Sequence, residues 1–382
     1  MKKIAYGKQY IDSSDIKAVS EALRKEMITQ GSLISEFENK VKKFLNVKYA
    51  VAVSSASAGL HIAVKSLPLI KKNDLVITNP ITFVSTANAA THNMMKVKFS
   101  DIDNFTLNFD IKSLVKKIKD LKPKVILPVH LSGLSFGEKI LKKICKRKKI
   151  FIIEDAAHSF GAKYGDGSLV GNCRYSDMTV FSFHPVKTIT TGEGGMITTN
   201  SYKIYRKLIE LRNHGIVRSN NHFQYDVKDL SFNYRITDFQ CALGLSQLRK
   251  IKKIIAKRES IAKKYDLEFS NNKNIYLPQY NLRNLSSNHL YILNIKFENL
   301  RISRNQFIKK LMKLGIITQI HYIPIPKHSY YSKKGYTMKG LNNAQKYYNR
   351  AISIPIYYSL KSSEQLKVVK IIKNIINEYK KN

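Results

Sequence analysis

Val180-Phe181-Ser182-Phe183-His184-Pro185-Val186-Lys187, followed closely by Thr191-Gly192-Glu193-Gly194-Gly195, decides the reading of this chain. An apolar run that ends in a lysine and then a Thr/Gly-rich turn reads as a buried strand delivering an amine to a loop. The hydroxyl of Ser182 sits five residues before that amine. Low polarity around such a lysine depresses its pKa and makes it a nucleophile toward an aldehyde. Upstream, Ile150-Phe151-Ile152-Ile153 reads as a second buried strand that ends in Glu154-Asp155-Ala156-Ala157-His158. A carboxylate there can hold a pyridine nitrogen protonated, so that the ring withdraws electrons. Asp155 and Lys187 together therefore read as the two poles of a pyridoxal-phosphate site.

Working outward, short apolar runs alternate with helical periodicity from about residue 16 to residue 215. The spacing predicts strands at Tyr49–Val53, Leu75–Thr78, Lys96–Phe99, Val125–Val129, Ile150–Ile153, Met178–Phe183 and Gly195–Thr198, with helices such as Glu138–Arg147 and Tyr202–Arg212 between them. Several runs lack polar alternation, as strands covered on both faces of a mostly parallel sheet do. The fold class is α/β, with a three-layer large domain over 1–248. A long helix, about Asp238–Glu268, leads into a smaller C-terminal α/β domain over 249–382. Its expected elements are strands Leu290–Phe297, Ile316–Ile320 and Ile352–Pro355 and helices Arg304–Leu314, Asn342–Arg350 and Ser363–Tyr379, with Gln279–Asn288 as a polar loop.

The chain has 382 residues, enough for one large and one smaller domain, and a formal net charge of +39. Its lysines are spread along the whole length without a basic stripe interleaved with aromatics, so they read as solvated surface that helps gather acidic substrates rather than as a nucleic-acid site. Cys145, Cys173 and Cys241 have neither metal nor disulfide spacing and suit a reducing compartment. No metal is expected. Neither an apolar signal segment nor a run of about 20 apolar residues is present, which points to a cytoplasmic protein away from membranes.

Three segments lie where strands of an open sheet end, the usual place for ligands. Ser54-Ser55-Ala56-Ser57-Ala58-Gly59 opens a helix and offers backbone N–H groups and the Ser57 hydroxyl to a phosphate, or is simply a helix cap. Asp155 reads as the pyridine partner or as another cap, with His158 beside that carboxylate or beside the ring. Phe83, within Pro80-Ile81-Thr82-Phe83, either stacks on a ring or packs in the core.

In this order the segments resemble one family. Ile28-Thr29-Gln30-Gly31, Ser55-Ala56-Ser57-Ala58, Glu154-Asp155-Ala156-Ala157-His158, Phe181-Ser182-Phe183-His184 with Lys187, Arg212-Asn213-His214-Gly215 and Asn233-Tyr234-Arg235 are together similar to the DegT/StrS sugar-nucleotide aminotransferases, fold-type I pyridoxal-phosphate enzymes. The resemblance covers essentially the whole chain. It implies that Lys187 carries the cofactor and shuttles the proton, that Asp155 pairs with the pyridine nitrogen, and that Phe83 stacks on the ring. It also implies that Ser57, Ala58 and Ser182 bind the phosphate, and that Asn233 reaches it from the other subunit of a homodimer.

Within the family, Ile28–Gly31, Ser286-Ser287-Asn288-His289-Leu290-Tyr291 and His321-Tyr322-Ile323-Pro324-Ile325 most resemble the branch that aminates a UDP-linked 4-keto-6-deoxy-N-acetylamino sugar of L-altro type, in pseudaminic acid biosynthesis, with glutamate as donor. Gln30, His289, His321 and Tyr322 are its implied sugar-pocket residues, though His289 and Tyr322 flank strands and equally suit packing. Gly192 departs from the alanine expected in that branch. A related enzyme for another 4-keto or a 3-keto sugar, of the bacillosamine type for instance, is the alternative. A dehydratase of this fold would carry histidine in place of Lys187, and a regulatory or nucleic-acid-binding relative would have lost Asp155 or Lys187.

Overall fold

The computed structural model describes residues 3–136, 139–218 and 224–381. Glu138, the first residue of one expected helix, lies outside these; the helix is described from Lys139 to Lys148. Seven strands form the main sheet: β1 (Tyr49–Val53), β2 (Leu75–Thr78), β3 (Lys96–Phe99), β4 (Val125–Leu127), β5 (Phe151–Asp155), β6 (Met178–Ser182) and β7 (Gly195–Thr199), in the order β1-β7-β6-β5-β4-β2-β3. All neighbours pair in parallel except β7, which runs antiparallel to both β1 and β6. β6 and β7 are buried along their whole length, as their unbroken apolar and threonine sequences require. The helix Ala56–Lys65 crosses behind them. It sits so close that a Cβ on Gly59 would meet Val180 Cγ1 at 2.9 Å, so only glycine allows this packing.

β4 stops earlier than its apolar run suggests. Pro128 has no N–H to offer the ladder, and Val129 N–H donates instead to Asn79 Oδ1 at 3.0 Å. A hairpin, β8 (Ile216–Arg218) with β9 (Tyr225–Val227), projects beyond the sheet with exposed Tyr225 and Val227.

The expected helix Asp238–Glu268 is two helices, Asp238–Arg249 and Ile251–Phe269. Lys250 ends the first, its N–H turning back to the carbonyls of Gln247 and Leu248, and begins the second. The C-terminal part holds a three-stranded antiparallel sheet, β10 (Ile275–Tyr276), β11 (Tyr291–Ile295) and β12 (Ala351–Ile354). The expected strand Ile316–Ile320 does not form. Ile316 bridges Ile4 alone and Gln319 bridges Ser353 alone, and the segment otherwise runs as connection.

The polar segment Gln279–Asn288 is irregular, as expected, but it is not a surface loop. Gln279, Arg283, Ser286, Ser287 and Asn288 are all buried. Gln279 Nε2 donates to the carbonyls of Thr106 and Leu131, and Ser287 Oγ donates to the carbonyl of His158 at 2.5 Å. These bonds pin the C-terminal part to the ends of β4 and β5 and carry His289 to the same place.

Candidate active site

The carboxyl ends of β4, β5 and β6, the start of the helix Ala56–Lys65 and the segment 321–322 enclose a cavity of about 440 Å³. Asp155, the last residue of β5, is 5% exposed, and its carboxylate is held from two sides. Thr86 Oγ1 donates to Oδ2 at 2.5 Å, and the Ala157 N–H donates to Oδ1 at 3.1 Å. Burial raises the Asp155 pKa, against the pull of Thr86, the Ala157 N–H and Lys187. Among the described residues no arginine or lysine lies within ion-pair distance of it, and Lys187 acts on it only through the longer-range field.

Lys187 follows β6 in a turn closed by its own N–H to the His184 carbonyl at 2.9 Å. The residue keeps some exposed surface while its amine end is buried. Burial pulls the amine down to about 8, opposed by the charge of Asp155.

Ser55 caps the helix Ala56–Lys65, its Oγ accepting the Ala58 N–H at 3.1 Å. Ala58 is thereby engaged within the helix, and its side chain is buried away from the cavity. The N–H groups of Ala56 and Ser57 carry no such bond, and with the Ser57 and Ser182 hydroxyls they give this end of the cavity the donors an anion requires. β7 passes so near that a Cβ on Gly195 would lie 2.7 Å from the Ser55 carbonyl carbon and 2.8 Å from Ala56 N.

His158, His289, His321 and Tyr322 share the opposite wall. The Ser132 N–H donates to His158 Nδ1 at 3.3 Å, which puts the imidazole proton on Nε2, 3.0 Å from the Tyr322 hydroxyl. The His289 ring lies 4.4 Å from that of His158, and His321 Nδ1 is 2.8 Å from Ser353 Oγ. Burial drives all three imidazoles below their ordinary pKa, His321 to about 3, with Lys187 adding to each shift. Phe83 is 55% exposed at the cavity mouth, its ring 6.0 Å from that of Tyr322.

Two sequence candidates stand apart. Gln30 is exposed at a left-handed turn (φ 57) and does not line the cavity. Asn233 is also exposed and outside the lining, its Oδ1 accepting the Arg235 N–H. Conversely, Tyr6, Thr82, His130, His184 and Glu193 line the cavity without having been singled out, and Thr86 stands just behind it holding Asp155. Tyr6 and His130 carry no local signal. Thr82 and Thr86, bonded to each other at 2.6 Å, had one: two hydroxyls at helical spacing after a buried strand.

A carboxylate at one end, free helix N–H groups and hydroxyls at the other, and a neutralisable amine on the wall are the donor set that a phosphorylated pyridine aldehyde requires. The sequence profile of the DegT/DnrJ/EryC1/StrS aminotransferase family matches residues 9–373. The chain belongs to this family. It is therefore a pyridoxal-phosphate-dependent aminotransferase. It is similar to the UDP-4-amino-4,6-dideoxy-N-acetyl-beta-L-altrosamine transaminase of Campylobacter jejuni, with 36% identity over 384 residues covering 99% of each chain. Among solved structures, Helicobacter pylori PseC, an aminotransferase involved in the biosynthesis of pseudoaminic acid, superposes with a TM-score of 0.91 at 32% identity, covering 99% of this chain and 100% of that one. The PLP form of the sugar aminotransferase Spr1654 from Streptococcus pneumoniae gives a TM-score of 0.89 at 27% identity over 98% and 99%. The fold is that of the type I pyridoxal-phosphate enzymes.

Proposed function

We propose that this aminotransferase moves the amino group of glutamate to the 4-ketone of a UDP-linked 4-keto-6-deoxy-N-acetylamino sugar, giving the 4-amino L-altrosamine sugar of pseudaminic acid biosynthesis. The carrying observation is the full-length similarity to the C. jejuni transaminase, which runs through all the segments that build the cavity.

When bound, pyridoxal phosphate supplies an aldehyde carbon and an electron-withdrawing ring. Lys187 would hold that carbon, and its Nζ is the group placed to take the proton from the donor's α-carbon and to return one to the product. Asp155 holds a proton on the ring nitrogen, with Thr86 and the Ala157 N–H fixing its two oxygens. Ser57, Ser182 and the N–H groups at the helix start would hold the phosphate, and Phe83 would cover the ring. His289, His321 and Tyr322 face the sugar. Glutamate and sugar use one cavity in turn, so the kinetics are ping-pong.

Two features support a homodimer with shared sites. Asn233 lies outside its own cavity, and the hairpin and its continuation leave Tyr225, Val227, Leu230 and Phe232 exposed at 64%, 53%, 83% and 66%. A second copy that covers this apolar surface brings Asn233 to the partner's phosphate end. We also place the protein in the cytoplasm. Three buried free thiols suit a reducing compartment, and no described helix is long and apolar enough to cross a membrane.

The test is amination of UDP-4-keto sugars of L-arabino and D-xylo configuration, with glutamate as donor and the product identified by NMR. Preference for the L-arabino sugar is expected. Preference for the D-xylo sugar overturns the substrate assignment and favours the second reading, a bacillosamine-type enzyme, for which Gly192 is the sequence observation.

A further inference from the structure

Arg258 stands on the helix Ile251–Phe269 that joins the two parts of the chain, and it is 2% exposed. A buried guanidinium ordinarily keeps a carboxylate beside it, because an unpaired charge is costly to remove from water. Among the described residues no carboxylate lies within ion-pair distance of Arg258. Its Nη1 donates instead to three carbonyls: Ile356 at 3.1 Å, His289 at 3.2 Å and Asn288 at 3.4 Å. Two of these belong to successive residues of the segment that enters the cavity wall, and the third to the chain just after β12.

The same helix holds the other end of that segment. Asp266, about two turns further on, accepts Arg283 Nε at 2.9 Å and Arg283 Nη2 at 2.8 Å. The helix therefore grips the segment at Arg283 and again at Asn288 and His289, from points about 12 Å apart along its axis. The two grips differ in kind. The first joins side chain to side chain, whereas Arg258 holds the backbone of His289 itself and so sets where that imidazole leaves the chain. The His289 ring lies 4.4 Å from the ring of His158 in the cavity wall. Toward the turn that carries Lys187, Arg258 shares only a separate cavity of about 10 Å³, room for no more than one water. Among the described residues no hydrogen bond joins Arg258 to that turn.

We propose that Arg258 is a positioning residue for the sugar half of the reaction: by holding the carbonyls of Asn288 and His289 it fixes the His289 imidazole against the cavity, and it acts on the substrate only through that ring. The assignment rests on the reading of His289 as a sugar-facing residue. A guanidinium suits the task because its N–H groups lie in one plane and stay protonated, whereas an ammonium on a flexible stem fixes no such geometry. Burial, then the charges of His158, Lys187 and Arg258, lower the His289 pKa, which keeps the imidazole neutral and able both to donate and to accept beside a sugar hydroxyl.

The two half-reactions of the holoenzyme, measured separately, test this, with glutamate in one and the UDP-4-keto sugar of L-arabino configuration in the other, or the D-xylo sugar where that is preferred. Arg258→Met fills a similar space without donors and should leave the cofactor absorbance and the glutamate half-reaction unchanged. The sugar half-reaction should lose about 10- to 100-fold in kcat/KM, mainly through KM, as small displacements within a site do. Arg258→Lys should recover part of that loss, and where Arg258→Met does not fold the same comparison is made with Arg258→Lys. His289→Ala should reproduce the sugar defect, and the Arg258→Met/His289→Ala double variant should be no worse than His289→Ala, since both act through one ring. A residue that merely stabilised the junction would give additive losses. Additivity, an equal loss in both half-reactions, or an unaltered sugar KM in Arg258→Met overturns the proposal. If His289→Ala leaves the sugar half-reaction intact, the sugar reading of His289 has failed instead. The positioning claim is then decided by the imidazole ¹⁵N signals of His289 in the full-length protein: a shift in Arg258→Met upholds it, and unmoved signals overturn it.

Discussion

Replacing Thr86 by valine removes the hydroxyl that bonds Asp155 and Thr82 while keeping the side-chain shape. Thr86 is fully buried, and its hydroxyl donates to Asp155 Oδ2 at 2.5 Å while meeting Thr82 Oγ1 at 2.6 Å. After the substitution, Asp155 keeps only the Ala157 N–H and faces a methyl group at Oδ2. Burial already raises the Asp155 pKa, and the Thr86 hydroxyl is the largest force opposing it. The variant's folded-state pKa therefore rises further above the unfolded value. The carboxylate becomes costlier to keep, and its ability to hold a ring proton is lost from a higher pH as acidity increases. A hydrogen bond to a charged group contributes about 1.5–3 kcal/mol, which corresponds to a factor of roughly 10–150 in binding, the upper limit if all of it is expressed in cofactor affinity. Titration of the apoprotein with pyridoxal phosphate, followed by absorbance at several pH values, measures this. The expected result is weaker binding in Thr86→Val, with the gap from wild type widening as pH falls. An affinity within twofold of wild type across that range would show that Asp155 does not depend on Thr86, and the electrostatic account of the ring-binding end would fail.

Borohydride reduction of the holoprotein should fix the cofactor to Lys187, and Lys187→Ala should lose transamination; a label on another lysine refutes the assignment. Burial lowers the Lys187 amine to about 8, and only the neutral amine accepts a proton, so the glutamate half-reaction should accelerate as pH rises through about 8; a rise only near the ordinary lysine range contradicts this. In Gly195→Ala the new Cβ would meet the backbone of Ser55, Ala56 and Phe181 within 2.9 Å. Backbone cannot step aside as a side chain can, so a loss of about 1–3 kcal/mol is expected in denaturant unfolding, together with weaker cofactor retention; wild-type values for both would show that the phosphate turn tolerates displacement. Mixing Lys187→Ala with Asn233→Ala subunits should restore activity above either parent if the sites are shared. Heterodimers without rescue would place Asn233 outside the partner's chemistry.

What the sequence discloses and what it hides divide along a physical line. The strands that deliver Asp155 and Lys187 were legible because they are buried on both faces, so their apolar runs are nearly unbroken and stop where the polar chemistry begins. The break at Lys250 was hidden for the opposite reason. Leu245, Leu248, Ile251 and Ile254 continue the apolar spacing straight across it, and periodicity registers faces rather than hydrogen bonds. Ile316–Ile320 looked like a strand by composition, but a strand needs a ladder, and only single residues of Ile4 and Ser353 are in reach. The same limit governs the site. Local motifs name the reacting groups, but which side chains meet is set by long-range contacts: Thr86 reaches Asp155 across 69 positions, and Tyr322 reaches His158 across 164. Gln279–Asn288 shows why this matters for specificity. It reads as a polar loop within the smaller domain, yet Gln279, Arg283, Ser286, Ser287 and Asn288 are buried, with Gln279 and Ser287 bonded to carbonyls at the ends of β4 and β5. That junction carries His289 into the same wall as His158 and Tyr322. This wall is therefore built from the packing of the two parts of the chain, and if it receives the sugar as proposed, substitutions at the buried Ser286, Ser287 and Asn288 should alter sugar selectivity without touching Lys187 or Asp155.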